Sequence, residues 1–65
     1  MEKATLDVTE VASYLGVSKD TIYQMVRERG IPFFKVGKRI LFTKESVDHW
    51  MHEQEFHNLR GDDNL

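Results

Sequence analysis

The chain has 65 residues, a formal net charge of -2 and no cysteine, which leaves room for one small domain held by packing alone and excludes an enzyme built on a large sheet or barrel. Hydrophobic residues at 40% and charged residues at 31% describe a globular balance, neither disordered nor membrane-embedded. No apolar run approaches the roughly 20 residues that cross a bilayer, and Met1-Glu2-Lys3-Ala4-Thr5 is no basic-then-apolar leader, so the expectation is a cytoplasmic protein with no membrane partner.

Asp7 stands three residues ahead of Glu10, the spacing of a capping box, and predicts that a helix begins beside it. Val8, Val11, Ala12 and Leu15 then form one apolar stripe, and Gly16 ends the helix at about Leu15. Ser18 is the next N-cap, and Ile22, Met25, Val26 and Arg29 carry a second helical stripe to Gly30. Pro32 forbids continuation, after which Phe33-Phe34-Lys35-Val36 and Ile40-Leu41-Phe42 read as the strands of a hairpin around Gly37-Lys38-Arg39. A two-residue loop would mix polar and apolar residues on both faces. A three-residue loop opposes Val36 to Ile40 and Phe34 to Phe42, so that register is expected. Thr43 caps a third helix through about Phe56, with Val47, Trp50 and Met51 facing inward. The expected fold is α+β, mainly α: a small winged helix-turn-helix over residues 1-56, followed by a flexible acidic C-terminal tail over 57-65.

A helix-turn-helix requires a small residue where its helices cross, a turn residue tolerant of positive φ, and apolar inward positions. Ala12, Gly16 and Ile22 meet these needs, with Val11, Leu15, Val17 and Met25 filling the other inward places. An ordinary helical hairpin would share this packing and stays open as the bland alternative, because such corners also occur in proteins that bind nothing. From Val17 to Lys44 seven cations stand against two anions, while from Glu45 to Leu65 six anions stand against one cation. Such segregation suits one face for an anion and another for something else.

The segments Leu6-Asp7-Val8-Thr9-Glu10-Val11-Ala12 through Ile22-Tyr23, Arg29-Gly30-Ile31-Pro32-Phe33-Phe34-Lys35-Val36-Gly37-Lys38-Arg39 and Phe42-Thr43-Lys44-Glu45-Ser46-Val47-Asp48-His49-Trp50 together resemble the excisionase-type branch of the MerR-like winged helix-turn-helix domains. The resemblance spans about Leu6 to Met51, departing from the common pattern at Gln24, where a basic residue is frequent. It implies a bacterial or phage-encoded, nucleoid-associated factor that bends DNA and directs site-specific recombination of a mobile element toward excision. It also embraces small transcriptional regulators that use the same domain at a promoter.

The residues support a DNA surface independently. Ser18 and Lys19 suit backbone phosphate at a helix N-terminus, Tyr23 phosphate or sugar, and Thr21, Gln24 and Arg27 the base edges of a major groove. Lys35, Lys38 and Arg39 lie at and beside the hairpin tip, where a wing reaches a minor groove or neighbouring phosphates. The bland alternatives are a cap for Ser18, partial burial for Tyr23 and protection of a strand edge for Lys35. His49, His52, Glu53 and His57 could share a helix face, but they lie near a fraying end with no supporting carboxylates, and no metal or cofactor is expected. No nucleophile arrangement or phosphate-cradling loop is present in the sequence, so catalysis is not expected. The expected partner is double-stranded DNA; the resemblance implies in addition a site-specific recombinase met through the C-terminal helix and the acidic tail from Glu53 onward, the bland alternative being a tail that only solubilises. The chain should be a monomer in solution that assembles cooperatively on DNA, because no segment is long enough for a coiled coil. A protein adaptor without salt-dependent DNA affinity is the reading from a different class.

Overall fold

The computed structural model describes residues 4-59, with side chains described through His57. The elements run β1 (Thr5–Asp7), α1 (Val8–Leu15), α2 (Lys19–Arg27), β2 (Phe34–Val36), β3 (Arg39–Thr43) and α3 (Lys44–Leu59). This is a small winged helix-turn-helix, with a three-stranded antiparallel sheet in the order β1-β3-β2.

Asp7 ends β1 and caps α1 with no loop between them. Its carboxylate accepts from the Glu10 backbone N–H at 2.8 Å, while the Glu10 carboxylate accepts from the Asp7 N–H at 2.9 Å. Both halves of the capping box are therefore made. The helix ends at Gly16, whose φ of 75° is left-handed, and Val17 N–H donates back to Ala12 O at 2.9 Å. These bonds satisfy carbonyls that would otherwise lack a helical partner. The turn carries Val17 outward, where it is 41% exposed, and not into the inward position expected of it.

The second helix also departs from expectation at its end. The apolar stripe was expected to run through Arg29 to Gly30, but α2 stops at Arg27. Arg29 N–H donates to Val26 O and Gly30 N–H to Met25 O, the same closing pair of bonds seen after α1. Here the left-handed position falls on Arg29, with φ of 57°. That conformation costs an arginine about 1 kcal/mol that a glycine would not incur. The glycine is one residue further on, at a position whose φ does not require it.

Two further departures concern the sheet. β1 was not foreseen; it pairs Leu6 with Phe42 and makes β3 the central strand. The hairpin takes the two-residue loop, not the three-residue one: Val36 opposes Arg39, Lys35 opposes Ile40 and Phe34 opposes Leu41. Core formation does not need β2, because β3 has Leu6 of β1 beside Phe42 on the inner face. All three β2 residues are exposed. Gly37 has φ of 61° and Lys38 is not left-handed, the pattern of a two-residue turn whose twist matches the strands. Turn chemistry thus overrides hydrophobic pairing, leaving Phe34 and Val36 on the outer face and Lys35 on the side of the helices.

The core is Val8, Val11 and Ala12 of α1, Ile22 and Val26 of α2, Ile31, Phe42 and Val47. Trp50 packs on it half-buried, and its indole Nε1 donates to Gly30 O at 2.6 Å. Thr43 Oγ1 accepts from Ser46 N–H at 3.1 Å, capping α3 as expected. The helix continues to Leu59, past the expected end at about Phe56; the last residues of the expected acidic tail, 60-65, lie outside the described residues. A polar clamp joins α3 to α1: Tyr14 OH donates to Asp48 Oδ1 at 2.5 Å, and Lys44 Nζ donates to Asp48 Oδ2 at 3.1 Å. Lys44 also lies 5.4 Å from the Tyr14 ring centre. The Tyr14 hydroxyl and then Lys44 hold the Asp48 carboxyl below the usual aspartate range, while Asp48 and then Tyr14 raise Lys44 above the usual lysine value.

Two outcomes follow for stability. Replacing Trp50 with Phe should lower stability by about 1 kcal/mol through loss of the donor, and Trp50→Ala by about 2 to 4 kcal/mol through loss of packing, both read by urea unfolding. Asp48 has a lowered folded-state pKa, so its contribution is complete above the normal aspartate range and is lost as pH falls through the lowered value. Melting temperatures of wild type and Asp48→Asn should therefore differ at neutral pH and converge on acidification; a gap that persists under strong acid would dissociate the clamp from the titration of Asp48.

Candidate nucleic-acid interface

The exposed face of α2 and the hairpin adjoin. Ser18 caps the helix, its Oγ accepting from Thr21 N–H at 3.2 Å and lying 2.9 Å from Thr21 Oγ1. Lys19, Tyr23 and Arg27 recur every fourth residue and form one ridge along α2. The adjacent ridge is Asp20, Gln24 and Glu28, with Gln24 Nε2 donating to Glu28 Oε2 at 3.3 Å. The amide of Gln24 is thus held beside a carboxylate, an acidic neighbour that the sequence reading gave no role.

Tyr23 is 46% exposed and borders two clefts beside the wing, one shared with the rest of α2 and one with Asp7 and the start of α1. One cleft, about 340 Å³, is bordered by Tyr23, Arg27, Arg29 and Lys35, with Phe33 and Ile40 among its apolar lining. The other, about 290 Å³, has Lys38 and Arg39 on the wing side and Asp7 and Thr9 across from them. Arg39 approaches Asp7 Oδ2 at 4.0 Å, so the carboxylate that caps α1 also steadies one wing cation. The structure therefore brings Tyr23, Arg27 and Lys35 together around one cleft and places Lys38 and Arg39 at the other. Ser18 and Thr21 lie at the start of α2, where their hydroxyls engage each other.

Pairing separates the cations of the basic middle. Lys44 is engaged by Asp48 and Arg39 is near Asp7. Among the described residues, Lys19, Arg27, Arg29, Lys35 and Lys38 have no carboxylate within ion-pair distance, and all five lie on α2, just after it, or on the wing. Arg29 is the member that the sequence reading missed as a surface residue, because helical periodicity placed it on the inward stripe. On α3 two histidines lie beside carboxylates, His49 Nε2 3.5 Å from Glu53 Oε2 and His52 Nδ1 3.9 Å from Glu55 Oε1. Among the described residues no group of three or more His, Asp or Glu side chains is arranged to hold a metal ion. No helix among them is long and apolar enough to cross a membrane.

A recognition helix capped at its N-terminus, a cationic hairpin beside it and unpaired positive charge on both define a winged helix-turn-helix DNA-binding domain. Comparison with family models agrees: residues 5-55 match the helix-turn-helix domain family, and the chain belongs to it. Comparison with curated proteins and with solved structures found no match. Sequence-specific binding of DNA is the activity that this family and fold imply.

Replacing Arg27 or Lys38 with Ala should weaken duplex binding without lowering the melting temperature, because neither side chain is buried or paired. Each loss should also reduce the slope of log affinity against log salt by about 0.9, as expected for one phosphate contact. Unchanged affinity in both variants would remove α2 and the wing from the interface.

Proposed function

We propose that the protein is an excisionase-like architectural factor, which bends DNA and directs site-specific recombination of a mobile element toward excision. The observation that carries this reading is the small number of cations without a carboxylate partner among the described residues, five in all. Those five contribute about 4 to 5 to the salt slope per bound chain, a modest grip for one copy, and several copies or a second protein would raise occupancy. This suits an assembling architectural factor better than a solitary operator-binding monomer. The carboxylates of α3 outside the clamp, Glu45, Glu53 and Glu55, supply a surface of opposite sign for a recombinase. The protein acts by binding and deformation, without catalysis, as a monomer that becomes cooperative on DNA. The resemblance of its helix corner, wing and Asp48-His49-Trp50 segment to excisionases supports the same role.

The test is a footprint of the purified chain on fragments selected from its source genome. Several sites in helical phase beside a recombination junction, with hypersensitive cleavage between them, are the expected result. A single site overlapping a promoter, with no effect of the protein on recombination, would instead make it a transcriptional regulator. Absence of any selected fragment would leave the basic surface to a protein partner.

A further inference from the structure

We infer that Arg29 is a further DNA-contacting residue, held in a left-handed backbone conformation so that its guanidinium joins Arg27 and Lys35 on one backbone phosphate. The inference rests on the DNA-binding reading of α2 and the wing, and names a contact within it. Its basis is a conflict between local preference and the residue present. The bonds that close α2 require a left-handed residue at position 29, where φ is 57°, and glycine is the residue that adopts this without strain. The adjacent Gly30 does not use that freedom, and a side chain there would meet only Met25 O at 3.8 Å. The backbone around Arg29 is fixed on both sides: Arg29 N–H is bonded to Val26 O, Gly30 N–H to Met25 O, and Gly30 O accepts from Trp50 Nε1. Strain that the surroundings enforce in this way marks positions where the side chain has a use.

The side chain has no use within the described protein. It is exposed and makes no ion pair or hydrogen bond with a described residue, so the strain is not offset by an internal contact. It borders the 340 Å³ cleft together with Arg27, Lys35 and Tyr23, three cationic residues and a tyrosine. The register of the hairpin completes the arrangement, because pairing with Ile40 puts Lys35 on the helix side of the sheet. Three positive charges and a phenol around a gap between recognition helix and wing match a phosphodiester oxyanion, which accepts several charge-assisted hydrogen bonds at once. The ammonium of Lys35 supplies point charge, whereas the two guanidinium groups can each donate in fork geometry. In this arrangement the cleft fixes the height of the backbone between the major-groove helix and the wing.

The experiment compares wild type, Arg29→Gly and Arg29→Lys by thermal melting and by titration of a labelled duplex across a salt series. The duplex is a fragment selected by the wild-type protein. Arg29→Gly should melt higher by about 4 to 8 °C, since the strain of a β-carbon is removed. It should nevertheless bind the duplex roughly tenfold more weakly, with a salt slope smaller by about 0.9. Arg29→Lys keeps the strain and the charge, so its melting temperature and salt slope should stay near wild type. Arg29→Gly with unchanged affinity and slope would overturn the inference while leaving the DNA-binding reading intact. A wild-type protein whose binding to every duplex is absent or independent of salt would overturn both.

Discussion

The hydrogen bond from the Trp50 indole to the Gly30 carbonyl ties the last helix to the point where the recognition helix ends. The direction in which the chain leaves α2 toward the wing is set at that point. Gly30 is followed by Ile31, which is 3% exposed, and by Pro32, whose fixed φ prevents further helix. The chain therefore leaves α2 in one direction, anchored by a buried isoleucine on one side of the proline and a half-buried Phe33 on the other. In a domain whose core has few members, one polar bond at a junction has more influence than it would in a larger protein. It satisfies the carbonyl just beyond the helix and orients the indole, whose ring then covers the core beside Val47.

The wing is positioned differently. None of its β2 residues enters the core, so hydrophobic burial cannot hold that strand. It is held by backbone pairing to β3, and β3 is fixed by Phe42 beneath it and by β1 on its far side. The short β1 thus matters more than its length suggests. It converts a two-stranded hairpin, marginal by itself in water, into a three-stranded sheet. Through Asp7 it also connects the sheet to the first turn of α1 and to Arg39. One aspartate links strand, helix cap and wing cation.

Those connections explain which features were legible in the sequence. The caps were: Asp7 with Glu10, Gly16, Ser18 and Thr43 act over three or four residues, so their spacing alone identifies them. The order of helices and hairpin followed from them. The hairpin register was not legible, because pairing Phe34 with Phe42 assumes that β2 must help form the core. Unseen in the sequence, Leu6 lies in a three-residue strand too short to show alternation, and it supplies Phe42 with its neighbour instead. The Gly37-Lys38 turn carried the correct signal, but it competed with a hydrophobic argument built on two strands when there were three. At the interface, the cations of α2 and the wing were legible as a cluster in the chain. Arg29 was not, since its helical phase points inward and only the position of the closing turn sends it out.

The structure also gives the charge segregation a physical meaning that sequence averages conceal. Lys44 belongs to the basic middle by position, yet Asp48 and Tyr14 use it to fasten α3 to α1. Arg39 is partly committed to Asp7. The remaining cations have no carboxylate partner among the described residues and border the gaps around Tyr23 or lie along the same helix ridge. Unpaired like charges repel, and the cost falls when a polyanion arrives between them. The cations that the fold leaves unpaired thus gather on the recognition helix and the wing, where a phosphate backbone relieves a repulsion that no described carboxylate offsets.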